Sequence, residues 1–127
     1  MKVLSLFDGI SGAMLALNKA NIKVDSYYSS EIDKYALEIS KKHYPEIIQL
    51  GDIKNWKEWD LPRIDFIIGG SPCTNLSIAG DRSGLKGKES SLFYDFVDIL
   101  NFYCPKYFLL ENVKMKKEWE IGRASCR

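Results

Sequence analysis

Short apolar runs alternate along the chain with longer segments of helical spacing. The short runs hold four to six residues, mostly β-branched, aromatic or Leu, and such runs are typical of strands. Between them, apolar residues recur at intervals of three and four, as in an amphipathic helix. The predicted strands are Lys2–Leu6, Val24–Ser29, Ile47–Leu50, Ile64–Ile68 and Tyr107–Leu110, and the predicted helices are Ala13–Ala20, Asp33–Tyr44 and Leu92–Tyr103.

This alternation predicts an α/β fold with a doubly wound, mostly parallel sheet that carries helices on both faces. In the second helix we expect Ala36, Leu37 and Ile39 on the buried side. A helical turn within residues 54–62 would pack Trp56 and Trp59 on the sheet.

Composition indicates one compact domain. The 127 residues are 46% hydrophobic and 28% charged, which is ordinary for a chain with a single core. We place this domain at residues 1–120. Residues 121–127 show no regular spacing of apolar residues, which is typical of an irregular or non-native tail.

Charge and apolar content limit the classes of partner. The 18 basic and 17 acidic residues give a formal charge of +1, so any attraction to nucleic acid or anionic membrane must be local. No apolar run is long enough to span a membrane and no secretory signal is present, so we expect a cytoplasmic protein. The three cysteines are too widely spaced for a Cys-x-x-Cys metal site and fit a reducing compartment better than a disulfide framework. We therefore expect no structural metal.

A glycine-rich turn and several acids follow the predicted strands, where ligands of parallel sheets bind. Gly9 and Gly12 would let a ligand approach the backbone, although their spacing is neither that of a dinucleotide turn nor that of a triphosphate loop. Glu31, about twenty residues further on, has the position of a ribose-binding acid. A helix N-terminal acid is the alternative, and Asp33 could fill that role equally well. The acids at strand ends are Glu31, Asp52 and Glu111.

A cysteine follows the fourth strand, after two glycines that we expect to stop it. Pro72 restricts the backbone before Cys73, so the thiol would be presented reproducibly. The cysteine is either a reactive nucleophile or a small buried hydrophobe. The polar segment 78–91 beyond it is typical of a lid or binding loop. Its basic residues are candidates for phosphate contacts or for a solvated charged surface.

Five motifs in this order resemble the DNA (cytosine-5)-methyltransferase family. They are Phe7-Asp8-Gly9-x-Ser11-Gly12, Glu31, Asp52, Pro72-Cys73 and Glu111-Asn112-Val113. The form Gly-Gly-Ser-Pro-Cys, followed by Leu76 and Ser77, is similar to the Dnmt3-like and phage branches. The resemblance extends from Lys2 to about Val113.

The resemblance implies S-adenosylmethionine as cofactor, S-adenosylhomocysteine as product and cytosine C5 in double-stranded DNA as the methylated atom. It implies that Cys73 adds to cytosine C6 and that Glu111 contacts N3. The implied cofactor-binding residues are Phe7, Asp8, Gly9, Ser11, Gly12, Glu31, Ile32, Asp52, Ile53, Pro72 and Leu92. Candidate contacts to DNA or the extruded base are Ser77, Arg82, Lys86, Lys88 and Asn112.

The resemblance also indicates a chain truncated after the Glu-Asn-Val motif, from a bacterium or a phage-infected cell. The strand Tyr107–Leu110 would then have a free apolar edge, so we expect a homodimer or aggregation there. Three alternatives remain open. They are a catalytically inactive S-adenosylmethionine-binding fragment, an interaction module, and a cysteine hydrolase, which would need the single histidine, His43, near Cys73.

Overall fold

The computed structural model describes residues 1–70 and 90–111, which form five strands and the helices between them. In chain order these elements are β1 (Lys2–Leu6), α1 (Gly12–Lys19), β2 (Ser26–Ser30), α2 (Lys34–His43), β3 (Ile48–Gln49), a 3-10 helix (Ile53–Glu58), β4 (Phe66–Gly70), α3 (Ser90–Tyr103) and β5 (Tyr107–Glu111). Every predicted element within these residues is present. Most boundaries lie within two residues of the predicted ones.

The strands form one sheet in the order β3-β2-β1-β4-β5, and every neighbouring pair is parallel. The chain moves from β1 towards β3 on one side and then from β4 to β5 on the other. The strand order therefore reverses at β1, where open parallel sheets form their ligand crevice. The register pairs Leu6 with Ser30 on β2 and with Gly69 on β4. The residues that follow these strands consequently meet at one edge.

Apolar side chains cover both faces of the sheet, as the alternating pattern predicts. One cluster joins the sheet to the 3-10 helix and α3, and it includes Leu4, Ile67 and Phe96, each fully buried. The other lies under α1 and includes Val3 and Met14. The expected packing of the two indoles is confirmed, because Trp56 belongs to the first cluster and Trp59 packs against it.

Helix α2 differs from its prediction in the face that it buries. Its N-cap is Asp33, whose carboxylate accepts hydrogen bonds from the backbone N–H groups of Tyr35 and Ala36 at 2.9 Å. Ile39, expected on the buried side, is 44% exposed, whereas Ser40 is buried. The Ser40 hydroxyl lies 2.6 Å from that of Ser11, so this helix docks partly through a polar contact that apolar spacing does not reveal.

Strand β4 continues through the two glycines that were expected to stop it. Gly69 pairs with Leu110 and Gly70 with Glu111. A Cβ at Gly69 would lie 2.5 Å from the Leu6 carbonyl oxygen and 3.1 Å from a ring carbon of Phe96. Glycine therefore allows close packing within the strand here, rather than a turn.

At the other end of the sheet, β5 has an exposed apolar surface, as the sequence indicated. Tyr107, Phe108 and Leu109 are each about half exposed. Pairing of this edge with a second copy stays a prediction. Among the described helices, none has the length and apolar content needed to cross a bilayer.

We predict that Gly69→Ala destabilises the fold by about 1–3 kcal/mol, because the new methyl group must displace backbone or a buried ring. Urea unfolding measures the change. Gly12→Ala is the control, since its added Cβ has no atom within 4 Å. It should change stability by less than about 1 kcal/mol. A Gly69→Ala variant as stable as the parent would contradict the packing described here.

Candidate functional site

A cavity of about 130 Å³ opens at the carboxyl ends of β1 and β2. Its apolar walls come from four separate parts of the chain, and two carboxylates lie among them. The lining residues are Phe7, Ser30, Glu31, Ile32, Asp52, Ile53 and Leu92. Such a cavity suits a flat, largely apolar ligand that carries hydrogen-bond donors at its edge.

Glu31 connects this first cavity to the glycine turn. Its Oε2 accepts a hydrogen bond from the backbone N–H of Gly9 at 2.8 Å, while Oε1 accepts from the N–H groups of Ile32 and Asp33 at 2.8 and 2.9 Å. Gly9 has a φ of +59°, which glycine adopts without steric cost. The carboxylate thus fixes the turn after β1 against the start of α2.

Asp52 is held in a similar way at the other side of the cavity. Its Oδ1 accepts from the backbone N–H of Lys54 at 2.9 Å and so caps the 3-10 helix. The preceding Gly51 has a φ of +78°, and its carbonyl accepts from the Ser30 hydroxyl at 2.8 Å. Ser30 was not identified from the sequence, although it directly precedes Glu31.

A second cavity, of about 240 Å³, lies at the ends of β1, β4 and β5. Phe7 lines both cavities, so the two share this residue. The lining residues of the second cavity are Ser5, Leu6, Phe7, Asp8, Ala13, Ile68, Gly69, Gly70, Leu109 and Glu111. A Cβ on Gly70 would lie 2.7 Å from the Glu111 Oε2, so glycine leaves the room that this carboxylate occupies.

Asp8 is the centre of a hydroxyl network behind the glycine turn. Its Oδ1 accepts hydrogen bonds from Ser5 Oγ at 2.5 Å and from the Tyr27 hydroxyl at 2.6 Å. Its Oδ2 accepts from Ser11 Oγ at 2.6 Å and from Ser29 Oγ at 2.9 Å. One carboxylate thereby joins β1, β2 and the first residue before α1.

The Tyr27 phenol is a dependable donor in this network. Burial raises its pKa well above the ordinary value, and the neighbouring Asp8 carboxylate raises it further. The phenol therefore keeps its proton at neutral and mildly alkaline pH, and the hydrogen bond to Asp8 persists there.

The structure brings most of the described candidate residues together. Phe7, Glu31, Ile32, Asp52, Ile53 and Leu92 line the first cavity, and Asp8 and Glu111 line the second. Gly9 and Gly12 lie in the turn and at the start of α1. Ser11 is fully buried, so it supports the turn from behind. The candidates that lie outside the described residues are Pro72, Cys73, Ser77, Arg82, Lys86, Lys88 and Asn112.

The strand order, the glycine turn after β1 and the acid after β2 define a Rossmann-like α/β domain. A family model described as C-5 cytosine-specific DNA methylase matches residues 1–123. The chain therefore belongs to the C-5 cytosine-specific DNA methylases. The resemblance inferred from the five motifs is confirmed.

Similar proteins come from phages and bacteria. The orphan methyltransferase M.Rho11sI of Bacillus phage rho11s is 36% identical over 116 residues, which are 90% of this chain and 23% of that protein. The Type II methyltransferase M1.ScrFI of Lactococcus lactis subsp. cremoris is 39% identical over 122 residues, which are 96% of this chain and 31% of that protein.

The fold is also similar to solved structures. The S. pombe Dnmt2 methyltransferase matches with a TM-score of 0.71 and 27% identity, over 94% of this chain and 38% of that one. This similarity confirms the predicted methyltransferase-type sheet. The chain thus spans between 23% and 38% of the length of these three proteins.

We predict that Asp8→Asn lowers the free energy of unfolding by about 1–3 kcal/mol, because the amide cannot accept all four hydroxyl hydrogen bonds. Asp33→Asn is the matched control. Asparagine caps helices about as well as aspartate, so the free energy of unfolding of this variant should differ little from that of the parent. Thermal and urea unfolding of both variants measure the difference. Equal stability of Asp8→Asn and the parent would show that the network contributes little.

Proposed function

We propose that residues 1–120 supply the cofactor-binding and catalytic core of an enzyme that methylates C5 of cytosine in DNA. The observation that carries the proposal is the convergence of six residues, each implied for the cofactor by the sequence motifs, on the first cavity. The methylase family of the chain also supports the proposal.

The first cavity suits the adenosyl part of S-adenosylmethionine. Phe7, Ile53 and Leu92 offer apolar surface for the faces of a purine. Glu31 accepts three backbone hydrogen bonds, and a carboxylate has about four acceptor positions, so it retains capacity for a ribose hydroxyl. Asp52 uses Oδ1 for its backbone cap, and its carboxylate retains capacity for the adenine amino group.

The reaction assigned to this core begins with its cysteine. S-adenosylmethionine supplies an electrophilic methyl group when bound. Cys73, as thiolate, forms a bond to cytosine C6, and Glu111 holds or protonates N3, which makes C5 nucleophilic. After methylation a base removes the C5 proton and the Cys73 thiolate leaves C6. The target base must leave the DNA stack for these groups to reach it.

Glu111 has a position that fits this role. It lies at the end of β5 and lines the second cavity together with Gly70 and Asp8. Since Phe7 lines both cavities, a base in the second cavity and an adenosyl group in the first would be neighbours. The second cavity is our candidate for the pocket of the extruded cytosine.

DNA is the proposed partner, with contacts from Ser77, Arg82, Lys86, Lys88 and Asn112, and the proposed location is the cytoplasm of a bacterial or phage-infected cell. The relatives named as phage and Type II methyltransferases support this setting.

We predict that the chain binds S-adenosylhomocysteine and that Glu31→Gln weakens this binding by about five- to a hundredfold. The glutamine amide would oppose the Gly9 N–H with a second donor, and the ribose would lose a charged acceptor. Isothermal titration calorimetry measures both dissociation constants. Glu38→Gln, at an exposed position of α2, is the control and should leave affinity unchanged. A folded parent chain that binds neither cofactor nor product would contradict the proposal.

We further predict that Cys73→Ser abolishes methyl transfer but not cofactor binding, because a serine hydroxyl does not form the required anion at neutral pH. The assay follows transfer of a labelled methyl group to DNA by a version extended to the length of its relatives. Cys104→Ser is the control and should remain active. Full activity of Cys73→Ser would rule out the thiolate mechanism.

A further inference from the structure

Lys54 connects the 3-10 helix to α3 next to the first cavity. Its ammonium group forms an ion pair with the Asp95 carboxylate and donates a hydrogen bond to Ser91 Oγ at 3.2 Å. Neither Lys54 nor Asp95 lines the cavity, and none of the five sequence motifs includes them. The contact of Lys54 with Asp95 and Ser91 is therefore not part of the proposed cofactor site.

Two residues of this contact, Lys54 and Ser91, are sequence neighbours of residues that line the first cavity. Lys54 directly follows Ile53, and Ser91 directly precedes Leu92. Ile53 and Leu92 are two apolar walls of the cavity, one from the 3-10 helix and one from the first turns of α3. The hydrogen bond to Ser91 thus joins the two elements at residues adjacent to their cavity-lining side chains, and the ion pair to Asp95 joins them about one helical turn further along α3.

Apolar packing also joins these two elements. Ile53, Trp56, Phe96 and Ile99 belong to the same buried cluster. Apolar packing is not directional and tolerates small displacements, whereas an ion pair together with a hydrogen bond restricts the relative position of two backbones. Lys54 is 47% exposed and Asp95 20%, so the attraction is partly screened by solvent and sensitive to salt.

We propose that Lys54 and Asp95 are positioning residues that hold Ile53 and Leu92 at the separation an adenosyl group requires. This inference rests on the proposed function, because it assigns the adenosyl group to the first cavity. The pair acts through the cavity walls and makes no contact with the ligand itself.

The test is a double-mutant cycle on the affinity of the full chain for S-adenosylhomocysteine. Lys54→Met and Asp95→Asn should each weaken binding by about two- to fivefold, the range expected for a partly exposed ion pair. The double variant should bind no more weakly than either single variant. Lys54→Arg keeps the charge and reach and should retain the parent affinity.

Two controls separate positioning from general effects of charge and stability. Lys57→Met removes a lysine from the same helix whose ammonium lies over the Trp56 ring, 5.7 Å from the ring centroid, and it should leave affinity unchanged. Titrations at rising salt should weaken binding more for the parent than for Lys54→Met, because only the parent has an ion pair to screen. All titrations are made well below the unfolding temperature of each variant.

Each possible result supports or overturns the positioning role of Lys54 and Asp95. If the parent binds and both single variants bind equally well, the positioning role is wrong while the proposed function stands. Additive losses in the double variant, or the same loss in Lys57→Met, also overturn it. If the folded parent does not bind, the proposed function fails and the positioning role fails with it.

Discussion

The hydrogen bonds from four hydroxyl groups to the Asp8 carboxylate are the interaction on which the candidate site depends. They join β1, β2 and the residue before α1 at the point where the strand order reverses. Phe7 and Ser11, on either side of this network, have φ values of +56° and +64°. Such backbone conformations cost of order 1 kcal/mol or more for residues other than glycine, so surrounding contacts must stabilise them. The Asp8 network provides these contacts.

The sheet register determines which functional groups can act together. Leu6 pairs with both Ser30 and Gly69, so the segments that follow β1, β2 and β4 begin at the same level. Glu31 then bonds back to Gly9, and this contact makes the glycine turn and the acidic wall one unit. A substitution at Glu31 therefore alters the shape of the turn as well as the lining of the first cavity.

The sequence predicted the features that follow from apolar periodicity and from strand ends. The five strands, the Asp33 cap and the position of Glu31 beside the turn were all accessible to such reasoning. The buried face of α2 could not be predicted in this way, because Ser40 packs through a hydrogen bond between two hydroxyl groups and Ile39 remains exposed. Continuation of β4 through Gly69 was also missed, since glycine usually ends strands and only the neighbouring Leu6 carbonyl explains its use. The sequence also does not show that four hydroxyl groups surround the Asp8 carboxylate, and its contact with the cofactor stays a prediction.

Phe7 relates the two cavities to each other. This residue lines both, and its backbone, which has a φ of +56°, lies between the end of β1 and Asp8. A ligand that displaces Phe7 in one cavity must change the lining of the other, because both cavities share this residue. The two cavities are therefore built on the same turn, and the contacts of Asp8 and Glu31 hold that turn in place.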